Sequence, residues 1–364
     1  LHRPCAAQTE KVFWFFFSKK NPSLEPLLSS IACLAAMTLS TIRTRLRRAI
    51  LSRSGWLAHR ARYPNPFRTP ATAASVDVAR DAGVGDVLIV TAVLRALRRR
   101  NPGSRIRFYT NFAGLVRGLP YIDEVLPYTD RPPTAIFLEY TDIVPAKHHI
   151  ARLLGDRLGL AVRDTRPDIV ADSKLVEPYR LAWAHLPRPH VIVLRRASRF
   201  TPNKDWPDDS WTALIASLCE SGTVIEIGEA SPGAATPPSA NYVNLRGATT
   251  LPQLVAAIAA ADIYVGPVSG PMHIAAAVGT PAVLIVGGYE HPANTEYAGN
   301  VAFYTQTPCA PCWLREPCPY DLKCLRAISA SRVQHEVTSL WTGLASGKPP
   351  AGRIVTLQSN ADAA

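Results

Sequence analysis

Between Glu25 and Asp77 the sequence holds no aspartate or glutamate. The same window carries Arg43, Arg45, Arg47, Arg48, Arg53, Arg60, Arg62 and Arg68, with Ile42, Leu46, Ile50, Leu51 and Trp56 set among them. Two readings fit this absence: a basic amphipathic helix on an acidic membrane surface, or a solvated basic arm. Other motifs are missing too. No G-x-G-x-x-G is present, which disfavours a nicotinamide enzyme, and no P-loop, which disfavours a kinase or ATPase. There are no zinc-finger histidine pairs and no aromatic RNA-binding signature. The formal charge of +12 therefore points to a membrane or a phosphorylated substrate before nucleic acid. No apolar run reaches the roughly 20 residues a membrane-spanning helix needs; the stretch Leu27 to Met37 is too short. Residues 1 to 36 contain no glycine, and Met37 is the first methionine, so this segment reads as an over-extended start or as a short anchor.

What is present is a repeating α/β pattern. The 364 residues are 47% hydrophobic, enough for two cores of ordinary size. Val76 to Arg80 reads as a strand, followed by a glycine turn and a helix from Val87 to Arg100. Arg105 to Thr110, Val125 to Tyr128 and Ala135 to Leu138 read as further strands, and Lys147 to Leu160 as a helix. After the proline-containing stretch Arg163 to Pro189 the pattern restarts at Val191 to Leu194. Helix Ser210 to Ser221, strand Thr223 to Ile227 and helix Leu251 to Ala261 follow, with a last helix at 331 to 344. The expected organisation is a basic extension (1–75), a first α/β domain (76–175), a second α/β domain (185–345) and a flexible tail (346–364).

The most informative stretch is Asp262 to Gly288. An apolar strand, Ile263 to Val265, meets the turn Gly266-Pro267-Val268-Ser269-Gly270-Pro271. A helix from Met272 to Val278 follows, stopped by Gly279, and then a second apolar strand, Ala282 to Val286. The free N–H groups at such a helix start can hold a phosphate, and Gly270 lets a backbone approach one. His273 stands in the first helical turn. On pattern alone an unliganded strand-helix-strand unit is an equal reading.

Three motifs shift that balance: Gly85-Asp86, Lys204-Asp205-Trp206-Pro207, and the run Ser269-Gly270-Pro271-Met272-His273 continuing through Gly279-Thr280-Pro281. In this order and spacing they resemble glycosyltransferase family 9, the ADP-heptose:lipopolysaccharide heptosyltransferases, over about residues 76 to 340. The resemblance implies a GT-B architecture, with two Rossmann-like parallel-sheet domains facing a cleft. It implies inverting transfer of a heptose-like sugar from an ADP-sugar, with no cofactor required for catalysis. It gives Asp86 the role of base, where the residue alone reads as a helix cap. It places Lys204, Ser269, Gly270, Pro271, Met272 and His273 at the donor, with Lys204 on phosphate, where a loop lysine alone reads as solvated. The expected acceptors are a lipopolysaccharide core, a glycolipid or a protein hydroxyl, at the cytoplasmic face of an inner membrane. Nucleic acid is not expected as a partner. In one respect the sequence departs: the family's aspartate before T-G falls on Val268, and its threonine on Ser269. A valine accepts no hydrogen bond. That loss keeps a non-catalytic nucleotide-sugar-binding protein as the rival reading.

Cys309, Cys312, Cys318 and Cys324 form C-x2-C-x5-C-x5-C. Four thiolates can hold a structural Zn or Fe, and two disulfides are the alternative. Arg195, Arg196 and Arg199 precede the Lys204 loop and are expected to add positive potential there.

Overall fold

The computed structural model describes residues 73–140, 148–197, 201–230 and 239–358. The basic segment from Arg43 to Arg68 and Arg199 lie outside the described residues. Two parallel sheets organise the chain. The smaller has the order β3-β2-β1-β4, from β1 (Ser75–Ala79), β2 (Arg105–Tyr109), β3 (Glu124–Leu126) and β4 (Ile136–Phe137). The larger has the order β11-β10-β9-β8-β5-β6-β7. It contains β5 (His190–Leu194), β6 (Thr223–Ile227), β7 (Tyr242–Asn244), β8 (Ile263–Gly266), β9 (Ala282–Gly287), β10 (Val301–Gln306) and β11 (Arg353–Gln358). Among the described residues every strand pair is parallel. This is the expected GT-B class.

The strand sequences explain the layers. β5, β6, β8 and β9 are buried at every position, as parallel strands covered on both faces must be. The helices are α1 (Val84–Arg100), α2 (Ala113–Val116), α3 (Ile150–Arg157), α4 (Ser173–Trp183), α5 (Asp208–Ser221), α6 (Leu251–Ala260), α7 (Gly270–Val278), α8 (Lys323–Arg326) and α9 (Ala330–Ala345). α1 buries an unbroken run from Val87 to Leu94, together with Leu97. Each such large apolar side chain contributes about 1.5–3 kcal/mol. One apolar cluster joins α1, β1 and β2 to α6, α7 and the inner face of the large sheet. A second lies on that sheet's other face, under α5 and α9. α7 ends where expected: Gly279 has φ +86°, a left-handed cap that glycine takes without strain.

Two features go beyond the sequence reading. The proline-containing stretch Arg163 to Pro189 contains α4, which packs against α6. Asp172 caps it by accepting from the Lys174 amide at 2.9 Å. The tail expected to be flexible from Ser346 instead forms β11, paired with β10 from Val301↔Arg353 to Gln306↔Gln358. Its residues are exposed or half-buried except Leu357, as in an edge strand, and this is a weaker signal than an apolar run. Among the described residues no helix is long and apolar enough to cross a membrane.

Candidate active site

In each sheet the chain leaves one strand to one side and its neighbour to the other, and ligands of open parallel sheets bind at such points. In the small sheet the pair is β1 and β4; in the large sheet it is β5 and β8. The candidate residues follow these four strands. Asp86 comes after β1 and Glu139–Tyr140 after β4; Lys204 comes after β5 and Val268–Gly270 after β8.

Two glycines allow the lobes to meet. A Cβ on Gly85 would lie 2.5 Å from Cδ2 of His273, and one on Gly270 would lie 3.2 Å from Cβ of Val84. The first turns of α1 and α7 therefore touch, which brings the Asp86 turn beside the start of α7.

Asp86 is both a cap and a site residue. Its Oδ2 accepts from the Gly83 amide at 3.0 Å, closing the first turn of α1. Its Oδ1 accepts from Arg80 at 2.7 Å and from the Tyr140 hydroxyl at 2.6 Å. Burial alone would raise its pKa; the Arg80 charge and the hydrogen bonds from Tyr140, Arg80 and Gly83 outweigh that and hold it low. Arg80 is 2% exposed and also pairs with Glu139 at 2.8 Å. Burial opposes its charge, but Asp86 and Glu139 more than compensate. The Tyr140 phenol is pushed well up by burial first and then by the Asp86 charge, so it stays a donor.

Lys204 closes a short 3-10 turn, Pro202–Lys204, and its Nζ reaches the turn that precedes α7. It lies 2.5 Å from Oε1 of Glu290, 3.4 Å from the Val268 carbonyl and 4.8 Å from the centre of the Tyr289 ring. The rest of the loop is anchored by packing. Trp206 is buried edge-on against Trp211, and its indole N–H reaches the carbonyls of Leu325 (3.2 Å) and Ile328 (3.1 Å). The positive potential expected from Arg195 and Arg196 is offset. Arg195 pairs with the buried Glu226 at 3.0 Å, and Arg196 with Asp208 at 2.9 Å.

Ser269 caps α7 with an extended backbone, φ −162°, and its hydroxyl reaches the Pro267 carbonyl at 3.2 Å. Pro271 in the first turn has no N–H to leave unpaired. Met272 is fully buried in the core. His273 belongs less to a phosphate site than its position suggested. Its Nδ1 lies 2.7 Å from the Tyr297 hydroxyl, and the rings pack at right angles. Burial first, and then the Lys204 charge, lower its pKa to about 4, against a raising effect of Asp86. A neutral, buried imidazole holds the lobes together and offers no cation to a phosphate. His149, at the start of α3, packs on the other side of this group, against Tyr297 at 5.2 Å. Its pKa falls to about 3, from burial first and then His273.

Both histidines are neutral when folded and take up protons near pH 6.5 when unfolded. Between about pH 6.5 and 4 the unfolded chain binds more protons, so stability must fall as pH falls through that window. Melting temperatures measured from pH 7.5 to 4.5 are expected to drop, and His273→Gln to flatten the drop; an equal slope in that variant would remove His273 from the account.

Arg80, Glu139, Tyr140, Tyr289 and Glu290 were not singled out in the sequence. Arg80, Tyr140 and Glu290 all stand just beyond strand C-terminal ends, which is the signal that could have found them.

The four cysteines share the loop before and into α8, half-buried and joined by no disulfide. Burial, and then the charges of Cys309, Cys324 and Cys318, raise the Cys312 thiol to about 11. The donors suit a soft cation in chemistry. In arrangement they do not close a ligand set: no group of three or more His, Cys, Asp or Glu among the described residues comes together as a metal site. Cys309 Sγ instead lies 3.2 Å from the Thr307 hydroxyl, and Cys318 Sγ accepts from the Tyr320 amide at 3.4 Å.

Comparison with known proteins bears on this site. The profile of glycosyltransferase family 9 (heptosyltransferase) matches residues 139–321. Lipopolysaccharide heptosyltransferase 3 of Escherichia coli is 40% identical over 110 residues, which is 27% of this chain and 32% of that protein. The matched stretch thus spans about a third of that relative. Among solved structures, the chain is similar to a glycosyl transferase family 9 protein from Veillonella parvula, with TM-score 0.58, 15% identity, and coverage of 74% of this chain and 97% of that one. It is similar to E. coli ADP-heptose lps heptosyltransferase II, with TM-score 0.54, 19% identity, and 74% and 99% coverage. It is also similar to the dodecameric iron-containing heptosyltransferase TibC in complex with ADP-D-beta-D-heptose, with TM-score 0.58, 18% identity, and 75% and 79% coverage. At these identities the structures speak to the fold.

Proposed function

Because the chain belongs to glycosyltransferase family 9, whose profile spans half of it, we propose that it transfers a heptose-like sugar from an ADP-sugar to a hydroxyl of a lipopolysaccharide core, with inversion. The observation that carries this reading is the contact of two turns. The Gly85–Asp86 turn presents an ionised carboxylate beside the α7 terminus, where Lys204 already stands.

In this mechanism the acceptor oxygen forms a bond to the anomeric carbon as the bond from that carbon to the diphosphate oxygen breaks. The acceptor hydroxyl becomes strongly acidic as its oxygen bonds, so a carboxylate of low pKa suffices to take the proton. Among the described residues Asp86 Oδ2 accepts only from the Gly83 amide, and it keeps a lone pair for that proton. Arg80 and Tyr140 hold the carboxylate in place through Oδ1. The leaving diphosphate gains negative charge, which Lys204 and the amides at the start of α7 offset. The basic segment Arg43 to Arg68 would face the acidic membrane that carries the acceptor. The four cysteines take no part in this chemistry. In the same reading they staple their loop on a structural Zn or Fe once the loop draws them together.

Thermal melting with ADP, UDP, GDP and their sugars tests the donor. ADP and ADP-sugars are expected to raise the melting temperature, since a ligand of the native state stabilises it. A larger rise with UDP or GDP would reject the ADP assignment, and stabilisation with no transfer to any acceptor would favour the non-catalytic binder that Val268 suggests. For the cysteines, metal analysis of protein purified under reducing, chelator-free conditions is expected to give about one Zn or Fe per chain. Cys309→Ser with Cys312→Ser should abolish it. Folded, metal-free wild-type protein would reject the staple.

A further inference from the structure

Glu290 is 3% exposed and enters the site from the turn after β9, beyond Gly287 and Gly288. A buried carboxylate is retained only with a partner. Its ion partner is Lys204, at 2.5 Å from Oε1. By distance this is an ion pair, but the alignment of a hydrogen bond is lacking, and Oε1 has no hydrogen-bond partner among the described residues. The charge of Glu290 also reaches Tyr140, the phenol that donates to Asp86. A carboxylate with unused acceptor capacity therefore pairs with the cation of one lobe and acts on the phenol that holds the base of the other.

The turn after β8 cannot do this work. Val268 is buried and apolar, and only its backbone carbonyl faces Lys204. The pair Lys204–Glu290 is neutral as it stands, so it offers little to a diphosphate until the two separate. We propose that Glu290 determines specificity for the sugar of the donor: the diphosphate draws Lys204 Nζ onto its oxygens, and the freed Glu290 carboxylate accepts hydrogen bonds from the sugar hydroxyls. The inference rests on the nucleotide-sugar reading above and deepens it.

Calorimetry on the full chain separates the two. ADP and ADP-D-β-D-heptose are titrated into wild type, Glu290→Gln and Glu290→Asp, and the ratio of the two affinities is read. Structural damage common to both ligands cancels in that ratio. Glu290→Gln removes the carboxylate that competes for Lys204, so ADP itself should bind more tightly. The advantage of the ADP-sugar over ADP should fall by about 10-fold, the scale of a lost hydrogen bond to a charged group. Glu290→Asp keeps the charge for Lys204 but shortens the reach, and should lower the ratio too; it serves if the glutamine variant does not fold. Adding Val268→Asp to Glu290→Gln returns a carboxylate to the neighbouring turn and should restore part of the ratio. Wild-type binding with an unchanged ratio in the folded variants overturns the role of Glu290 alone. A wild type that binds neither ligand overturns the donor reading and this inference together.

Discussion

Asp86→Asn is expected to lower turnover by about 10²-fold or more, the usual scale for a general base, while nucleotide affinity changes little. Asparagine keeps an oxygen that can accept from the Gly83 amide, so the first turn of α1 should remain capped. It removes the charge that Arg80 faces at 2.7 Å, but Glu139 still pairs with that guanidinium at 2.8 Å. The fold should therefore survive, with some loss of stability from the buried cation. The low pKa of Asp86 makes a further point. Activity should show no ionisation from this residue near neutrality; it should decline only as pH falls through the depressed value, where the carboxylate protonates. Measuring kcat and melting temperature together on both proteins decides the matter. Unchanged kcat with a good acceptor would leave Asp86 as a capping residue and no more.

Much of this site is legible in the sequence because its motifs are local. The strand, turn and helix around Ser269–Gly270 form a contiguous segment whose apolar runs and punctuating glycines fix each boundary to within two residues. Asp86 and Lys204 are legible because they sit beside turn signals. What stays hidden depends on pairs distant in sequence. The partners of Asp86, Arg80 and Tyr140, are separated from it by 6 and 54 residues, and Lys204 meets Glu290 across 86. Local patterns carry no record of such pairings. His273 shows how packing adds to position. A histidine in a helix's first turn has the sequence position of a phosphate ligand, and the close contact of Gly85 also buries it between the two first turns. β11 escapes notice because an edge strand need bury only one face, and its neighbours in sequence are small and polar.

Lys204→Ala is expected to act on two quantities at once, because the lysine holds a buried carboxylate as well as facing the donor. Removing one member of a buried pair costs about 3–5 kcal/mol, most of it from the charge left behind. The side chain of Glu290 is 4% exposed and that of Lys204 19% exposed, so the lower end of that range is expected. Binding should follow a different rule. ADP should lose affinity and adenosine should not, since only the former presents phosphates to the missing charge. The double variant Lys204→Met, Glu290→Gln removes both charges and should recover most of the stability without recovering ADP affinity. If stability and ADP binding returned together, the lysine would be acting through the packing of its loop, and its charge would have no role at the diphosphate.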